Sequence, residues 1–292
     1  STLLNDEQLK PVTDTQGAVL VLAGAGSGKT RVLTYRIAYL IDKCGVSPYN
    51  ILAITFTNKA AGEMKERIHA VTGEDGMWVM TFHSFCARVL RNDADKLGHN
   101  RNFSIYGEAE SDRIITRILK EDFPEDGDKK KSIRWHISAA KSIAMTPQQY
   151  EARIKDHPDH ALITQAYAKY EEELAKHNAF DFDDLLLNTF LLFAMHKDVL
   201  EKYQDRFLYV HVDEFQDTNH FQFWLVKMLV RKYGNIFVVG YDDQSIDGGR
   251  GADVGNILNF KKDFPDCRIY KLERNYPSTA NILNTANKVI AN

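Results

Sequence analysis

The chain has 292 residues, of which 44% are hydrophobic and 26% are charged, a composition typical of a globular protein with one large or two modest domains. Its 37 basic and 40 acidic residues give a net charge of −3, so a nucleic-acid partner would have to be bound by local basic patches. These values exclude collagen-like, disulfide-framework and fully disordered proteins.

Short apolar runs alternate with segments of helical periodicity at both ends of the chain. The runs AVLVLA (18–23), ILAITF (51–56) and MWVMT (77–81) precede predicted helices at 29–41, 59–71 and 84–97. The alternation returns with YVHVD (209–213), IFVVG (236–240) and CRIYKL (267–272). This order predicts an α/β fold with a parallel sheet covered on both faces, to which both ends of the chain contribute.

The middle of the chain, 108–177, has helical patterns and few strand signals. The predicted helices are ESDRIITRILKEDF, SIRWHISAAKSI, PQQYEARIK after the N-cap Thr146, and DHALITQAYAKYEEELAK. This pattern predicts an all-helical insertion into the α/β domain. The segment 125–132 is predicted to be a loop, and for its three lysines, 129–131, a solvated surface is favoured over a phosphate contact.

The sequence AGAGSGKT, 23–30, lies between a predicted buried strand and a predicted helix. Small residues allow backbone N–H groups to surround phosphates, the ammonium of Lys29 neutralises the β and γ oxygens, and the hydroxyl of Thr30 ligates Mg²⁺. This context favours a nucleotide-binding loop over a chance glycine-rich loop. Its candidate nucleotide-binding residues are Ala23, Gly24, Ala25, Gly26, Ser27, Gly28, Lys29 and Thr30.

The sequence VHVDEFQD, 210–217, is an apolar strand that ends in acidic residues. Asp213 can hold Mg²⁺ through water, and Glu214 can polarise the attacking water, which are two requirements of phosphoryl transfer. The alternative is a pair of helix-capping acids. That alternative explains neither why the two acids are adjacent nor why a strand precedes them, so a catalytic site is favoured.

Two further segments, 54–64 and 81–91, each place a Thr-Phe pair at the carboxyl end of a predicted strand, where open α/β sheets bind their ligands. Phe56 and His83 can stack on bases, and Thr55, Asn58 and Ser84 can bond to phosphates. Taken singly, Phe56 would more often be a core residue and His83 a structural histidine. Together the five residues are candidate DNA contacts.

In this order the segments resemble those of the superfamily one DNA helicases of the UvrD, Rep and PcrA type. The similar segments are LNDEQ (4–8), AGAGSGKT (23–30), ITFTNKAA (54–61), TFHS (81–84), FDFDDLL (180–186), VDEFQDTN (212–219), the region of Gln244, Ser245 and Ile246, and LERNYPST (272–279). Eight segments in family order cover nearly the whole chain.

The resemblance implies an ATP- and Mg²⁺-dependent 3′ to 5′ helicase or translocase on single-stranded and 3′-tailed duplex DNA, with repair or replication proteins as partners. It implies a RecA-like P-loop motor domain at 1–107 and 178–280, a helical domain at 108–177, and the start of a truncated second motor domain at 281–292. Such a fragment is expected to bind nucleotide more weakly than the whole motor and not to unwind DNA.

The resemblance also implies roles for individual residues. Gln8 would read adenine, Arg31 would lie near the nucleotide, and Tyr276 would stack on adenine. Gln244 would act in catalysis and Arg250 would bind DNA, and together they would link the γ-phosphate to the DNA.

Four residues depart from the family pattern. Tyr241 stands where an acid is usual, Asp247 where a tyrosine is usual, Gly249 where an aromatic ring would stack on a base, and Pro277 where an arginine would reach the γ-phosphate. Little DNA-stimulated ATP hydrolysis is therefore expected, because an arginine finger is worth about 10³ to 10⁵ in turnover. Two alternatives stay open: the motor subunit of a helicase–nuclease complex, and a nucleotide-binding module that has lost hydrolysis.

The cysteines and the apolar segments indicate the compartment. Cys44, Cys86 and Cys267 are odd in number and widely spaced, which favours a reducing environment. The most apolar stretch, 185–195, is too short to span a bilayer, and the N-terminus lacks the layout of a signal peptide. The expected location is the cytoplasm, without membrane attachment.

Overall fold

The computed structural model of the chain describes residues 4–24, 26–241 and 251–273. Its strands are β1 (Val19–Ala23), β2 (Ile51–Thr55), β3 (Trp78–Thr81), β4 (Ser104–Tyr106), β5 (Ala179–Asp181), β6 (Tyr209–Val212), β7 (Ile236–Tyr241) and β8 (Arg268–Leu272). Its α-helices are α1 (Asp6–Thr13), α2 (Lys29–Asp42), α3 (Asn58–Thr72), α4 (Phe82–Asp93), α5 (Glu108–Asp122), α6 (Lys130–Ser142), α7 (Pro147–Arg153), α8 (His160–Lys176), α9 (Phe182–Met195), α10 (Lys197–Arg206), α11 (His220–Val230) and α12 (Gly251–Asp263).

These elements form two compact units. The first contains the described residues up to Thr81, Gln204–Thr218 and those from Val230 onward, and the second contains Phe82–Tyr203 and Asn219–Leu229. The second unit is larger than the predicted insertion at 108–177, which it includes. The domain boundaries given by the sequence stay a prediction.

The first unit is built on a parallel six-stranded sheet with the order β3-β2-β6-β7-β1-β8. Every residue of β1 and β2 is buried, as expected for strands that have both faces of the sheet covered. The predicted α/β class with a parallel sheet is therefore confirmed. Because β7 lies between β6 and β1, the residues after β6, at the end of β7 and after β1 meet at one edge.

A buried arginine attaches α1 to the rest of the first unit. Arg36 is 1% exposed, and its guanidinium donates to the carbonyl oxygens of Pro11 and Asp14 at the end of α1. The guanidinium carbon also lies 4.3 Å from the centre of the Phe237 ring in β7. Burial lowers the pKa of Arg36 to about 10, which still leaves it charged at neutral pH.

The second unit is mainly helical, and its core joins α5, α6, α7 and α8. The capping box at Thr146 confirms the predicted start of α7. Three-residue strands β4 and β5 pair in parallel, and the sequence did not predict them. The predicted helix at 84–97 is divided into α4 and a 3-10 turn, Ala94–Leu97.

The prediction of a loop at 125–132 is wrong, because this segment is helical. A 3-10 helix spans Pro124–Lys129, and α6 begins at Lys130. Pro124 at the first helical position favours this local start. The Nζ of Lys129 lies 2.8 Å from an Asp159 carboxylate oxygen, and that of Lys130 lies 3.0 Å from Asp112. These two lysines are therefore paired with acids of the same unit.

A buried lysine holds the elements of the second unit together. Lys141 is 1% exposed, and its Nζ lies 2.8 Å from Asp181, 3.0 Å from Asp184 and 2.7 Å from Glu171. Burial alone would lower the pKa of Lys141, but the three carboxylates raise it well above its ordinary value. The ammonium joins α6 to α8, to β5 and to the start of α9.

Among the described residues, no helix combines the length and the apolar character that crossing a bilayer requires.

A buried histidine in β6 makes the first unit sensitive to acid. His211 is inaccessible to solvent, and its Nδ1 lies 3.1 Å from the carbonyl oxygen of Leu52. Burial, together with the charge of Arg36, lowers the pKa of His211 to about 3. The folded protein therefore keeps this imidazole neutral where an unfolded chain, with a histidine pKa of about 6.5, would protonate it.

We expect His211→Leu to flatten the acid side of the stability profile. Between about pH 6 and pH 4 the unfolded parent binds one more proton at this residue than the folded parent does. As the pH is lowered through this range, the free energy of unfolding of the parent should therefore fall more steeply than that of the variant. The difference is at most about 1.4 kcal/mol per pH unit. Urea unfolding across this range measures it, with the exposed His220→Asn as the control. Parallel profiles for parent and His211→Leu would contradict the neutral buried form.

Candidate nucleotide-binding site

The predicted phosphate loop connects the end of β1 to the start of α2. Gly26 and Gly28 have φ values of 75° and 78°, a left-handed conformation that glycine adopts without strain. The backbone N–H of Ser27 donates to the carbonyl oxygen of Gly24 over 3.2 Å. The loop therefore turns sharply and places Lys29 at the first position of α2. Ala25 lies outside the described residues.

The predicted adenine reader, Gln8, lies against this loop. Asn5 and Gln8 form a capping box at the start of α1, and Gln8 is 6% exposed. Its side-chain amide donates to the carbonyl oxygen of Ser27 over 3.2 Å. A Cβ atom on Gly28 would lie 2.5 Å from Gln8 Nε2, so a side chain at this position would displace the end of the Gln8 side chain. The structure thus brings Gln8 and the loop together.

The two acids after β6 lie at the same edge of the sheet. The backbone N–H of Asp213 donates to Ile54 over 2.9 Å, which extends the pairing with β2 by one residue. Glu214 has a φ of 51°, an unusual left-handed conformation for a residue with a side chain, and its N–H donates to Asp213 Oδ1 over 2.8 Å. The ammonium of Lys29 bonds to the carboxylate of Glu214 and lies 4.0 Å from Asp213 Oδ1.

The charge and burial of these groups suit a polyphosphate with a divalent cation. Burial raises the pKa of Asp213, and Lys29 opposes that change only in part, so an added cation would favour its ionised form. The Oγ of Ser27 is buried and has no hydrogen-bond partner among the described residues. Asp213 and the hydroxyl of Thr30 supply oxygen ligands of the kind Mg²⁺ prefers. The residues present therefore fit both a polyphosphate and a divalent cation.

Two residues that the sequence did not identify as functional complete this edge. Gln216 donates from Nε2 to Glu214 Oε2 over 2.6 Å, and its Oε1 accepts from the backbone N–H of Tyr241 over 3.1 Å. The ring centre of Tyr241 lies 4.1 Å from Lys29 Nζ. The available signals were the position of Gln216 two residues after Glu214 and the unusual tyrosine at the end of β7.

The candidate DNA contacts of the first unit follow β2. Thr55 is fully buried and its hydroxyl donates to the carbonyl oxygen of Thr57 over 3.1 Å, so this hydroxyl is used within the protein. Phe56 is half-buried, and Asn58 is exposed at the first position of α3. The roles of these residues toward DNA stay predictions.

The candidate DNA contacts of the second unit are at the start of α4. The half-buried ring of His83 lies 5.1 Å from that of Phe182, which is 41% exposed, while Ser84 is exposed. Both rings line a cavity of about 250 Å³ together with Arg134 and Asp183. Burial lowers the pKa of His83, which favours the neutral imidazole.

Of the remaining residues that the sequence predicts to act at the nucleotide or DNA site, the structure describes Arg31. Arg31 lies in the first turn of α2, and its guanidinium carbon is 5.9 Å from the ring centre of Tyr35. The predicted residues Gln244, Arg250 and Tyr276 lie outside the described residues, as do three of the four departures, Asp247, Gly249 and Pro277.

We expect Gly28→Ala to weaken nucleotide binding and to destabilise the protein by roughly 1 kcal/mol or more, because its Cβ would occupy a left-handed residue and displace the Gln8 amide. Gly62→Ala is the matched control. Gly62 lies inside α3 with open space around its Cβ position, so alanine should stabilise the helix slightly. Thermal unfolding and titration with an ATP analogue measure both effects. Equal behaviour of the two variants would contradict the close contact at Gly28.

Comparison with known proteins identifies the family. The family model of the UvrD/REP helicase N-terminal domain matches residues 4–265. The ATP-dependent DNA helicase PcrA of Staphylococcus aureus (strain NCTC 8325 / PS 47) is 49% identical over 295 residues, which cover 99% of this chain and 40% of that protein. The PcrA of Staphylococcus epidermidis (strain ATCC 12228 / FDA PCI 1200) is 48% identical over 290 residues, with 98% and 40% covered. This chain therefore spans about 40% of the length of these curated relatives. The resemblance found in the motifs is confirmed, and the chain belongs to the UvrD/REP helicase N-terminal domain family.

Proposed function

We propose that this chain is the ATP- and DNA-binding part of an ATP-dependent helicase or translocase that moves 3′ to 5′ on single-stranded DNA. The observation that carries the proposal is the meeting of Lys29, Asp213 and Glu214 at one sheet edge beside a glycine-rich loop. The 49% identity to PcrA, whose name describes an ATP-dependent DNA helicase, supports DNA as the substrate.

In the proposed site the phosphates of ATP lie in the loop 23–30. Lys29 leaves the carboxylate of Glu214 and neutralises phosphate oxygens, while backbone N–H groups at the start of α2 contribute further donors. Thr30 and Asp213 would hold Mg²⁺, which when bound would supply positive charge to the phosphate oxygens. Gln8 contacts the adenine from its position beside the loop.

The proposed general base is Glu214. Once Lys29 has moved to the phosphates, one oxygen of the Glu214 carboxylate is released and can accept a proton from the attacking water. The other oxygen keeps its bond from Gln216, which orients the carboxylate. Gln244, Arg31 and Tyr276 are proposed to complete the site, as is usual for the family.

The proposed DNA contacts are Thr55, Phe56, Asn58, His83, Ser84 and Arg250. Phe56 and His83 supply ring faces for bases, and a neutral His83 is suited to stacking. Asn58, Ser84 and Arg250 would bind phosphates, which provide affinity independent of sequence, whereas Thr55 is buried and its hydroxyl already bonds to Thr57. The proposed substrates are single-stranded and 3′-tailed duplex DNA. The same proposal includes repair or replication proteins as partners and the cytoplasm as the location.

A second candidate function is a nucleotide-binding module with lost hydrolysis. The contact between Lys29 and the Tyr241 ring favours it, because the family pattern has an acid at this position. Turnover of ATP in the presence of single-stranded DNA distinguishes the two functions.

We expect Lys29→Ala to abolish nucleotide binding by the chain, since it removes the charge that the phosphates require. Calorimetric titration with the ATP analogue AMPPNP and Mg²⁺ measures the affinity. Lys65→Ala, an exposed lysine on α3, is the control and should bind as the parent does. Equal affinities of Lys29→Ala and the parent would mean that the nucleotide site is elsewhere.

We expect Glu214→Gln to bind nucleotide at least as tightly as the parent in a full-length protein that hydrolyses ATP, because Lys29 loses the carboxylate that competes with the phosphates. Hydrolysis should nevertheless fall by about 10² to 10⁴, because the proton acceptor is removed. Single-turnover measurements separate binding from chemistry, and Glu201→Gln, an exposed acid on α10, serves as the control. The assignment of Glu214 as base is refuted by equal turnover in the variant and the parent.

A further inference from the structure

Tyr241 occupies the position at which the two halves of the nucleotide site meet. It is the last residue of β7, and β7 lies between β6, which leads to Asp213 and Glu214, and β1, which leads to the phosphate loop. The strand register pairs Tyr241 directly with Ala23, the last residue of β1. A side chain at this position is therefore placed between the loop lysine and the acids.

The contacts of Tyr241 fix both its backbone and its ring. Its backbone N–H donates to Gln216 Oε1, and the same Gln216 side chain donates to Glu214. A Cβ atom on Gly240 would lie 3.1 Å from Gln216 Oε1, so a side chain there would be in tight contact with this amide. The Tyr241 ring is directed to Lys29, with 4.1 Å between Nζ and the ring centre.

The Lys29 side chain has a different environment from the one the family pattern would give. Its side chain is 14% exposed, and its ammonium contacts Glu214, the Tyr241 ring and, at 4.0 Å, Asp213. An acid in place of Tyr241 would add a third carboxylate close to Glu214 and Asp213, with mutual repulsion. The aromatic ring attracts the ammonium without adding negative charge.

We propose that Tyr241 is a positioning residue that stabilises the position of Lys29 against Glu214. This inference rests on the proposed function of the loop as an ATP site. Because Lys29 must leave the ring and the carboxylate to reach a phosphate, the ring opposes binding of the triphosphate. It also keeps the proposed base, Glu214, paired with Lys29 until a triphosphate is bound.

The proposal predicts a gain of affinity on removal of the ring. Tyr241→Leu should bind AMPPNP with Mg²⁺ about three- to thirtyfold more tightly than the parent, the range that corresponds to a cation–π contact. Tyr241→Phe retains the ring and should bind as the parent does. Damage to the fold would lower the affinity, so a gain distinguishes positioning of Lys29 from a merely structural role.

The experiment titrates the chain and its variants with AMPPNP and Mg²⁺. Tyr233→Leu, an exposed tyrosine before the opposite end of β7, is the matched control and should not change the affinity. NMR of the nucleotide-free chain provides a second measurement, because the ring should shift the Lys29 Hε resonances upfield in the parent and in Tyr241→Phe. This shift should be absent in Tyr241→Leu.

Equal or weaker nucleotide affinity of Tyr241→Leu, or Lys29 resonances that do not respond to loss of the ring, would overturn the proposal. A loss of affinity in Tyr241→Phe would also overturn it, since the hydroxyl would then contact the nucleotide directly. Failure of the ATP site itself has a separate signature, which is undiminished binding by Lys29→Ala. The two failures are therefore distinguishable.

Discussion

The charge balance at the carboxyl edge of the sheet depends on the ammonium of Lys29. Asp213 and Glu214 are adjacent in the chain, and their side chains are only 9% and 27% exposed, so their negative charges are poorly solvated. Without a cation the pair would repel, and burial already raises the pKa of Asp213. Lys29 supplies the compensating charge in this structure. If Asp213 and Thr30 held a divalent cation, the acids would need Lys29 less, and its ammonium could reach the phosphates.

Each compact unit also contains a buried cation that bonds to one end of a helix carrying a side chain of a candidate site. Arg36 bonds to the end of α1 and so fixes the helix that carries Gln8. Lys141 bonds to Asp181, which caps α9 immediately before Phe182. Lys141 is ion-paired, so losing one of its carboxylates would leave buried charge less well compensated, which is destabilising, whereas Arg36 is held by backbone carbonyl oxygens. The two buried cations thus help to position Gln8 and Phe182, which lie in the candidate sites of the two units.

The sequence predicted those parts of the structure that local patterns determine. The buried strands β1, β2, β6 and β7 and the loop before Lys29 follow from apolar runs and glycine spacing. The three-residue strands β4 and β5 carry too little periodicity to be recognised, and the 3-10 helix at Pro124–Lys129 is stabilised in part by the distant Asp159.

Contacts between side chains that are distant in sequence were harder to predict. The role of Gln216 depends on the strand order, which brings the end of β7 next to Glu214. Likewise, the effect of Tyr241 depends on its distance from Lys29, more than two hundred residues earlier in the chain. The motifs therefore identified which residues are present at the site, but only the fold showed which of them contact one another.

The geometry of Glu214 reconciles two opposed requirements on a general base. A base must be held in one orientation, yet one of its oxygens must be free to accept a proton. In this structure Lys29 bonds to Oε1 and Gln216 bonds to Oε2, so each oxygen already accepts from a donor. Transfer of Lys29 to a phosphate would release Oε1 while Gln216 continues to orient the carboxylate. In the proposed reaction, a single ion pair therefore suppresses the base without nucleotide and exposes it when nucleotide binds.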